Sequence, residues 1–140
     1  MFIQLLEIKK MKIFNGTQHQ INLYNIADCY EIQNGRKLII NQDAKPVLSI
    51  DAGSNINATK GNAELPDKFK GKLLPLVGAV IFSEVDLLPH GYDLYIVSNL
   101  YRAACVELGL DTSSLATVNG VVYSNEGDMK PCGCTTLAVG

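Results

Sequence analysis

The alternation of hydrophobic and polar residues predicts antiparallel strands in the first half of the chain. Predicted strands cover residues 12–14, 21–24 and 46–51. Asn34-Gly35 lies between the apolar runs 29–32 and 37–40, and it predicts a β-hairpin because both residues tolerate the positive φ angles of a type I′ turn. Segment 53–67 is rich in Gly, Asn and Pro and predicts a long loop.

In the second half, the pattern predicts one helix among further strands. The apolar run 72–82 is interrupted by Pro75 and Gly78, which favours a bent or edge strand over a helix. Residues 92–97 form the next predicted strand.

The predicted helix covers residues 99–108. Ser98 is a favourable N-cap and Gly109 ends the helix. The predicted buried face consists of Leu100, Ala103, Ala104 and Leu108.

Two turn signals separate the closing strands, which end at Val139: Asn119-Gly120 and Glu126-Gly127. The predicted fold is α+β, a mostly antiparallel sheet with one main helix packed on it. Residues 12–140 form a single predicted domain, and residues 1–11 an N-terminal extension with Met11 as an alternative start.

Composition narrows the classes of partner. The chain is 47% hydrophobic and 19% charged, with a formal net charge of −2. A slightly acidic chain lacks the clustered cations that neutralise phosphates, so we expect no DNA or RNA partner. The sequence has neither a secretory signal pattern nor an apolar run long enough to span a bilayer, so we expect a cytoplasmic protein without a membrane partner.

The sequence carries no catalytic signature. Phosphate-loop, dinucleotide-binding, zinc-protease and serine-hydrolase motifs are missing, so we expect no enzyme and assign no catalytic residue. Cys132-Gly-Cys134 is the only close cysteine pair, and its spacing is shorter than that of structural zinc sites. We expect free thiols and no metal or cofactor.

The start of the predicted helix is the candidate binding site. Its backbone N–H groups and dipole favour an anion, with Ser98 and Asn99 giving hydrogen bonds and Arg102 giving charge to a phosphate. The remaining candidates are Phe82 and Tyr101 as an apolar wall, and Asn15 and His19 as polar contacts from the same or a neighbouring subunit.

Each candidate also has a purely structural interpretation. Ser98 can act only as the helix cap while Arg102 is a solvated surface residue. The corner 15–19 can be a turn whose side chains bond their own backbone, and aromatic residues on strands are usually core.

Several short segments resemble a family of small proteins encoded by phages and prophages. Residues 12–23 are similar to that family's "IVNLTPHPINI" opening, and residues 74–98 resemble its "IPVV…FGEVEGLP…LYIVS" segment in the same order. The close at 118–137 is like its "GCRSL" ending. The chain departs at Gln18, where the family has Pro, at the missing Arg after Cys134, and in an insertion around 53–67.

The resemblance implies a phage accessory protein but no particular activity. Such proteins often act against host defence, and one group, the Thoeris anti-defence proteins, sequesters cyclic ADP-ribose-type signals without cleaving them. Sequestration needs no catalytic group and suits this chain. The alternative is an accessory protein acting by protein–protein contact, as a direct inhibitor or assembly factor. We also expect a homo-oligomer, a dimer or higher, because edge strands at 12–14 and 72–82 need covering.

Overall fold

The computed structural model describes residues 11–32, 37–125 and 130–140. Across these residues the chain is mostly strand with one nine-residue α-helix, which confirms the α+β class. The strands are β1 (Ile13–Asn15), β2 (Ile21–Leu23), β3 (Cys29–Ile32), β4 (Lys37–Ile40), β5 (Leu48–Ile50), β6 (Ala58–Asn62), β7 (Val80–Val85), β8 (Leu94–Ile96), β9 (Leu115–Tyr123) and β10 (Pro131–Val139), and the helix is α1 (Asn99–Glu107). Short 3-10 helices span Ile26–Asp28 and Asp67–Phe69.

The main sheet has the strand order β1-β8-β9-β10-β2-β5, and the β3–β4 hairpin joins it through β4 and β9. More residues pair in antiparallel than in parallel register, so the mostly antiparallel sheet is confirmed. The parallel strand pairs are β1–β8, β8–β9, β4–β9 and β2–β10, and α1 connects β8 to β9 as a crossover. Strands β6 and β7 form a separate two-stranded sheet.

Two apolar clusters lie on opposite faces of the main sheet. One joins side chains from all six strands of the main order: Ile13, Ile21, Leu23, Ile50, Leu94, Ile96, Ala116, Val118, Cys134 and Leu137. The other joins Phe14, Ile56, Val97, Leu115 and the α1 residues Tyr101 and Cys105. Because neighbouring strand residues point to opposite faces, Ile13 and Phe14 belong to different clusters.

Most strands predicted from the pattern are confirmed. The runs 29–32 and 37–40 pair antiparallel, with Cys29 opposite Ile40 and Ile32 opposite Lys37. The turn residues Asn34-Gly35 and Glu126-Gly127, and the extension through Lys10, lie outside the described residues.

The predicted loop over 53–67 is wrong in part. Residues 58–62 form β6, paired with β7 through partners such as Ala58 with Val85 and Asn62 with Val80. The sequence ATKGN is poor in strand formers, so pairing with a distant apolar strand decides the conformation.

The predicted strand over 72–82 begins only at Val80. Pro75 removes a backbone donor from the earlier part of the run. Gly78 lies so close to Ala63 that an added Cβ would be 1.7 Å from the Ala63 carbonyl oxygen. Residues 72–79 therefore belong to the connection between β6 and β7 and form no strand.

Helix α1 begins after Ser98 as predicted, and Gly109 follows it, but its buried face is different. Of the predicted face, Ala104 is buried as expected, whereas Leu100 and Ala103 are exposed, and the other buried residues are Tyr101 and Cys105. Leu108, at the end of the helix, is also exposed. The predicted face and the observed face both have helical spacing, and the face that carries the Tyr101 ring packs on the sheet.

Asn119-Gly120 is not a turn between two strands, because both residues lie inside β9. Asn119 pairs with Thr136 and Val121 with Cys134. Gly120 has a φ of +65°, so its left-handed conformation is accommodated within a continuous strand.

Candidate functional site

The parallel pairing of β1 and β8 creates a cleft at their carboxyl ends. Asn15, the last residue of β1, lies opposite Ile96, the last residue of β8. Ligands of parallel sheets characteristically bind at this edge, outside the carboxyl ends of the strands. The cleft, which we call the β1–β8 cleft, has a volume of about 250 Å³ and is lined by Gly16, Thr17, Gln18, His19, Asn55, Ile56, Asn57 and Ser98.

Ser98 connects β8 to α1 and caps the helix. Its Oγ accepts a hydrogen bond of 3.0 Å from the Tyr101 backbone N–H. The N–H groups of Asn99 and Leu100 have no partner among the described residues, as expected for the first turn of a helix. The cleft reaches the positive end of the α1 dipole through Ser98, whereas Asn99 and Leu100 lie outside its lining.

Asn15 holds the corner that forms one wall of the cleft. Its Nδ2 donates to the carbonyl oxygens of His19, at 2.8 Å, and Ile50, at 3.3 Å. Its Oδ1 accepts from the Thr17 backbone N–H at 3.0 Å and from Thr17 Oγ1 at 2.6 Å. Because Asn15 is only 2% exposed, its amide shapes the corner and is not presented to a ligand.

Backbone hydrogen bonds fix the floor of the cleft. The Gly16 N–H donates to the Ile96 carbonyl at 2.7 Å, which extends the β1–β8 ladder past Asn15. The Gly16 carbonyl in turn accepts from the Ile56 N–H at 3.0 Å. Residues from three distant parts of the chain are therefore held in register around the cleft.

Asp86 and Tyr101 connect the cleft to the core. The Asp86 carboxylate accepts from the Asn57 N–H at 2.9 Å, and its backbone carbonyl accepts from the Tyr101 hydroxyl at 2.6 Å. Tyr101 is 2% exposed, and burial, followed by the neighbouring Cys105, raises its pKa to about 12. Tyr101 is a core residue and offers no exposed ring face to a ligand.

The structure brings some predicted site residues together and separates others. Ser98 and His19 line the same cleft, with the His19 side chain exposed. Asn99 is exposed in the first turn of α1. Phe82 is half-buried on β7, outside the cleft lining. Arg102 is also outside the lining, and its Nε donates to the Gly140 backbone oxygen.

The electrostatics of the cleft come from dipoles and not from cations. Among the described residues, its lining contains neither lysine nor arginine. The nearby Asp86 carboxylate opposes an anion, while the α1 N-terminus favours one. Apart from Gly16 and Ile56, the lining side chains are amides, hydroxyls and an imidazole, a set that suits hydrogen bonding to a polar small molecule.

A neighbouring cleft of about 320 Å³ shares His19 and includes Cys132. The Cys132 thiol donates to the Val122 carbonyl at 3.6 Å, and burial raises its pKa. A thiol with a raised pKa is protonated at neutral pH and is a poor nucleophile. Within the described ranges, no group of three or more His, Cys, Asp or Glu side chains is placed to hold a metal ion.

Sequence reasoning missed Asn55, Ile56 and Asn57. The signal that was available was the Asn-rich composition of segment 53–67, but nothing local indicated that this segment lies against the end of β1. The long-range bond between Gly16 and Ile56 brings it there.

Comparisons with known proteins add no relative: no family model, curated protein or solved structure matches the chain. In the described ranges, no helix reaches the length and apolar character required to cross a membrane.

Proposed function

We propose that this protein is a phage-encoded anti-defence protein that binds a cyclic nucleotide or cyclic ADP-ribose-type immune signal in the β1–β8 cleft and sequesters it in the host cytoplasm without cleaving it. The observation that carries the proposal is that Ser98, the N-cap of α1, and the polar corner at His19 line one cleft. The resemblance of the sequence to phage and prophage proteins supports the biological setting.

The size of the cleft supports a binding site that two subunits share. At about 250 Å³ it is smaller than the roughly 300–1,000 Å³ of pockets that enclose drug-sized ligands. It suits one phosphate and ribose of a larger nucleotide, so a neighbouring subunit would cover the remainder. This arrangement agrees with the expected homo-oligomer.

Sequestration requires affinity and abundance, because the free signal falls by mass action. The polar lining of the cleft supplies hydrogen bonds without a carboxylate or thiol in contact with the ligand. We therefore expect a bound ligand to be released chemically unchanged.

Isothermal titration with cyclic ADP-ribose, and with linear ADP-ribose as the comparison, tests the proposal. The expected result is saturable binding of the cyclic compound, followed by recovery of its unchanged mass after the protein is denatured. No binding of either compound would contradict nucleotide sequestration, and an altered mass would indicate an enzyme.

Two substitutions locate the ligand. Asn99→Asp adds a negative charge at the start of α1, which stabilises the helix by about 0.3–1 kcal/mol but should weaken binding of a phosphate at least about tenfold. His19→Ala should weaken binding about three- to tenfold by removing one hydrogen bond. The matched control is His90→Ala, because His90 is also exposed but lies outside the cleft. Equal effects of the two histidine substitutions would contradict the assigned site.

Arg102→Ala tests the charge expected from the sequence. If its guanidinium contacts the phosphate, binding should weaken roughly ten- to a hundredfold with little change in melting temperature. Because its Nε already donates to the Gly140 backbone oxygen, unchanged affinity would assign Arg102 to that contact alone.

A second candidate function is favoured by the exposed apolar side chains between β6 and β7, which include Leu73 and Val77. Such a surface is typical of an accessory protein that acts through protein contacts. Protection of phage by a variant with the cleft blocked, for example Ser98→Trp, would favour this candidate over sequestration.

A further inference from the structure

The β6–β7 sheet and its connection carry the largest set of exposed apolar side chains in the described part of the chain. We call residues 58–85 the arm. Its exposed large apolar residues are Phe69, Leu73, Leu74, Leu76, Val77, Val80 and Ile81. Their relative exposures range from 38% for Ile81 to full exposure for Leu73, so together they present an apolar area on the order of the several hundred Å² that each partner contributes to a protein interface.

The arm has a concave and a convex apolar feature side by side. A groove of about 410 Å³ is lined by residues 63–66, Phe69 and residues 76–79. Leu73 and Leu74 lie in the connection between the two walls of this groove, and Leu73 is fully exposed. A surface that carries exposed apolar side chains beside an apolar groove can pair with an identical surface about a two-fold axis, because the side chains of each copy then enter the groove of the other copy.

The outer edges of β6 and β7 have no strand partner among the described residues. Among the described residues, β6 and β7 pair only with each other, so the arm presents unpaired strand edges. Two strands alone are marginally stable, and exposed edges favour pairing with another chain.

The charges on the arm distinguish a protein partner from a lipid surface. Lys70 is paired with Glu64 at 3.1 Å and with Asp67 at 2.9 Å. Over the whole arm, four lysines (Lys60, Lys68, Lys70 and Lys72) are offset by three carboxylates (Glu64, Asp67 and Glu84), which leaves a net charge of +1, below that of the clusters of four to eight cations typical of segments that bind anionic membranes. A nearly neutral, apolar and self-complementary surface favours a second copy of this chain.

We propose that the arm is a homodimer interface in which Leu73 and Leu74 of each copy insert into the 63–79 groove of the other copy. The arm groove and the β1–β8 cleft share no lining residue, so dimerisation through the arm does not require the ligand. The dimer therefore forms whether or not the proposed signal is bound.

Sedimentation equilibrium of the ligand-free protein tests the interface. The wild type should be a dimer at micromolar concentration, and the double variant Leu73→Ser with Leu74→Ser should raise the dissociation constant at least about a hundredfold. The control is Leu87→Ser, which removes a side chain that is 93% exposed but lies outside the arm. Because Leu73 is fully exposed, the double variant should keep the circular dichroism spectrum of the wild type.

A second measurement maps the contact. A photo-crosslinking amino acid at position 74, in a mixture of isotopically light and heavy chains, should produce light–heavy crosslinks to residues 63–69. A monomeric wild type, a dimer that survives the double substitution, or crosslinks confined to one chain would each overturn the proposal. A wild type that is monomeric and cosediments with phosphatidylserine vesicles would assign the arm to a lipid surface instead.

Discussion

Replacing the buried amide of Asn15 with a carboxyl group tests whether this residue supports the cleft or contacts the ligand. In Asn15→Asp the shape is kept, but the ionised side chain cannot donate to the carbonyls of His19 and Ile50. Two hydrogen bonds are lost, each worth about 0.5–1.5 kcal/mol, and the carboxylate faces two carbonyl oxygens in a buried position. We expect the free energy of unfolding to fall by about 2–4 kcal/mol at neutral pH.

The assay is urea unfolding followed by circular dichroism, with Asn99→Asp as the matched control. The control makes the same chemical change at an exposed position at the start of α1, where a negative charge is favourable by about 0.3–1 kcal/mol. The two variants should therefore shift the urea midpoint in opposite directions.

The pH dependence of the Asn15→Asp variant gives a further check. Burial raises the pKa of the introduced carboxyl group, and its protonated form regains one donor. The stability deficit should therefore shrink as the pH falls through that raised pKa. The reasoning is refuted if Asn15→Asp unfolds within about 0.5 kcal/mol of the wild type at neutral pH.

Two further changes test the core around the cleft. Tyr101→Phe removes the hydrogen bond to Asp86 and should cost about 0.5–1.5 kcal/mol. Burial raises the pKa of Tyr101 from 10.0 to about 12, so the wild type should lose stability as the pH rises above 10.0. The variant should lose less stability over the same range in alkaline urea titrations. Gly133→Ala would place a Cβ 2.6 Å from the Tyr24 ring and should lower the melting temperature. The control Gly61→Ala places a Cβ with no atom within 4 Å and should leave the melting temperature unchanged. Equal shifts of the two variants in calorimetry would contradict this packing.

The features that the sequence determined are those set by neighbouring residues. Ser98 caps α1 through a bond to Tyr101, and the strands on either side of Asn34-Gly35 pair as an antiparallel hairpin. In both cases the interacting groups are close in the chain, so residue type and spacing are sufficient to predict the structure.

The corner at Asn15 is an intermediate case. Its polar composition was visible in the sequence, but a binding role and a structural role were both consistent with it. The contact between Asn15 and the Ile50 carbonyl, from a distant strand, makes the amide buried and fully bonded. Gln18 and His19 are the exposed side chains of the corner.

Only the tertiary structure decided the arm and the cleft. Residues 58–62 have little intrinsic tendency to form a strand, and they do so because 80–85 pairs with them. The cleft exists because β1 pairs in parallel with β8, and because segment 55–57 is bonded to the end of β1. These contacts join residues far apart in the chain, and their free energy depends on burial and pairing across the whole fold, which local patterns of residue type do not encode.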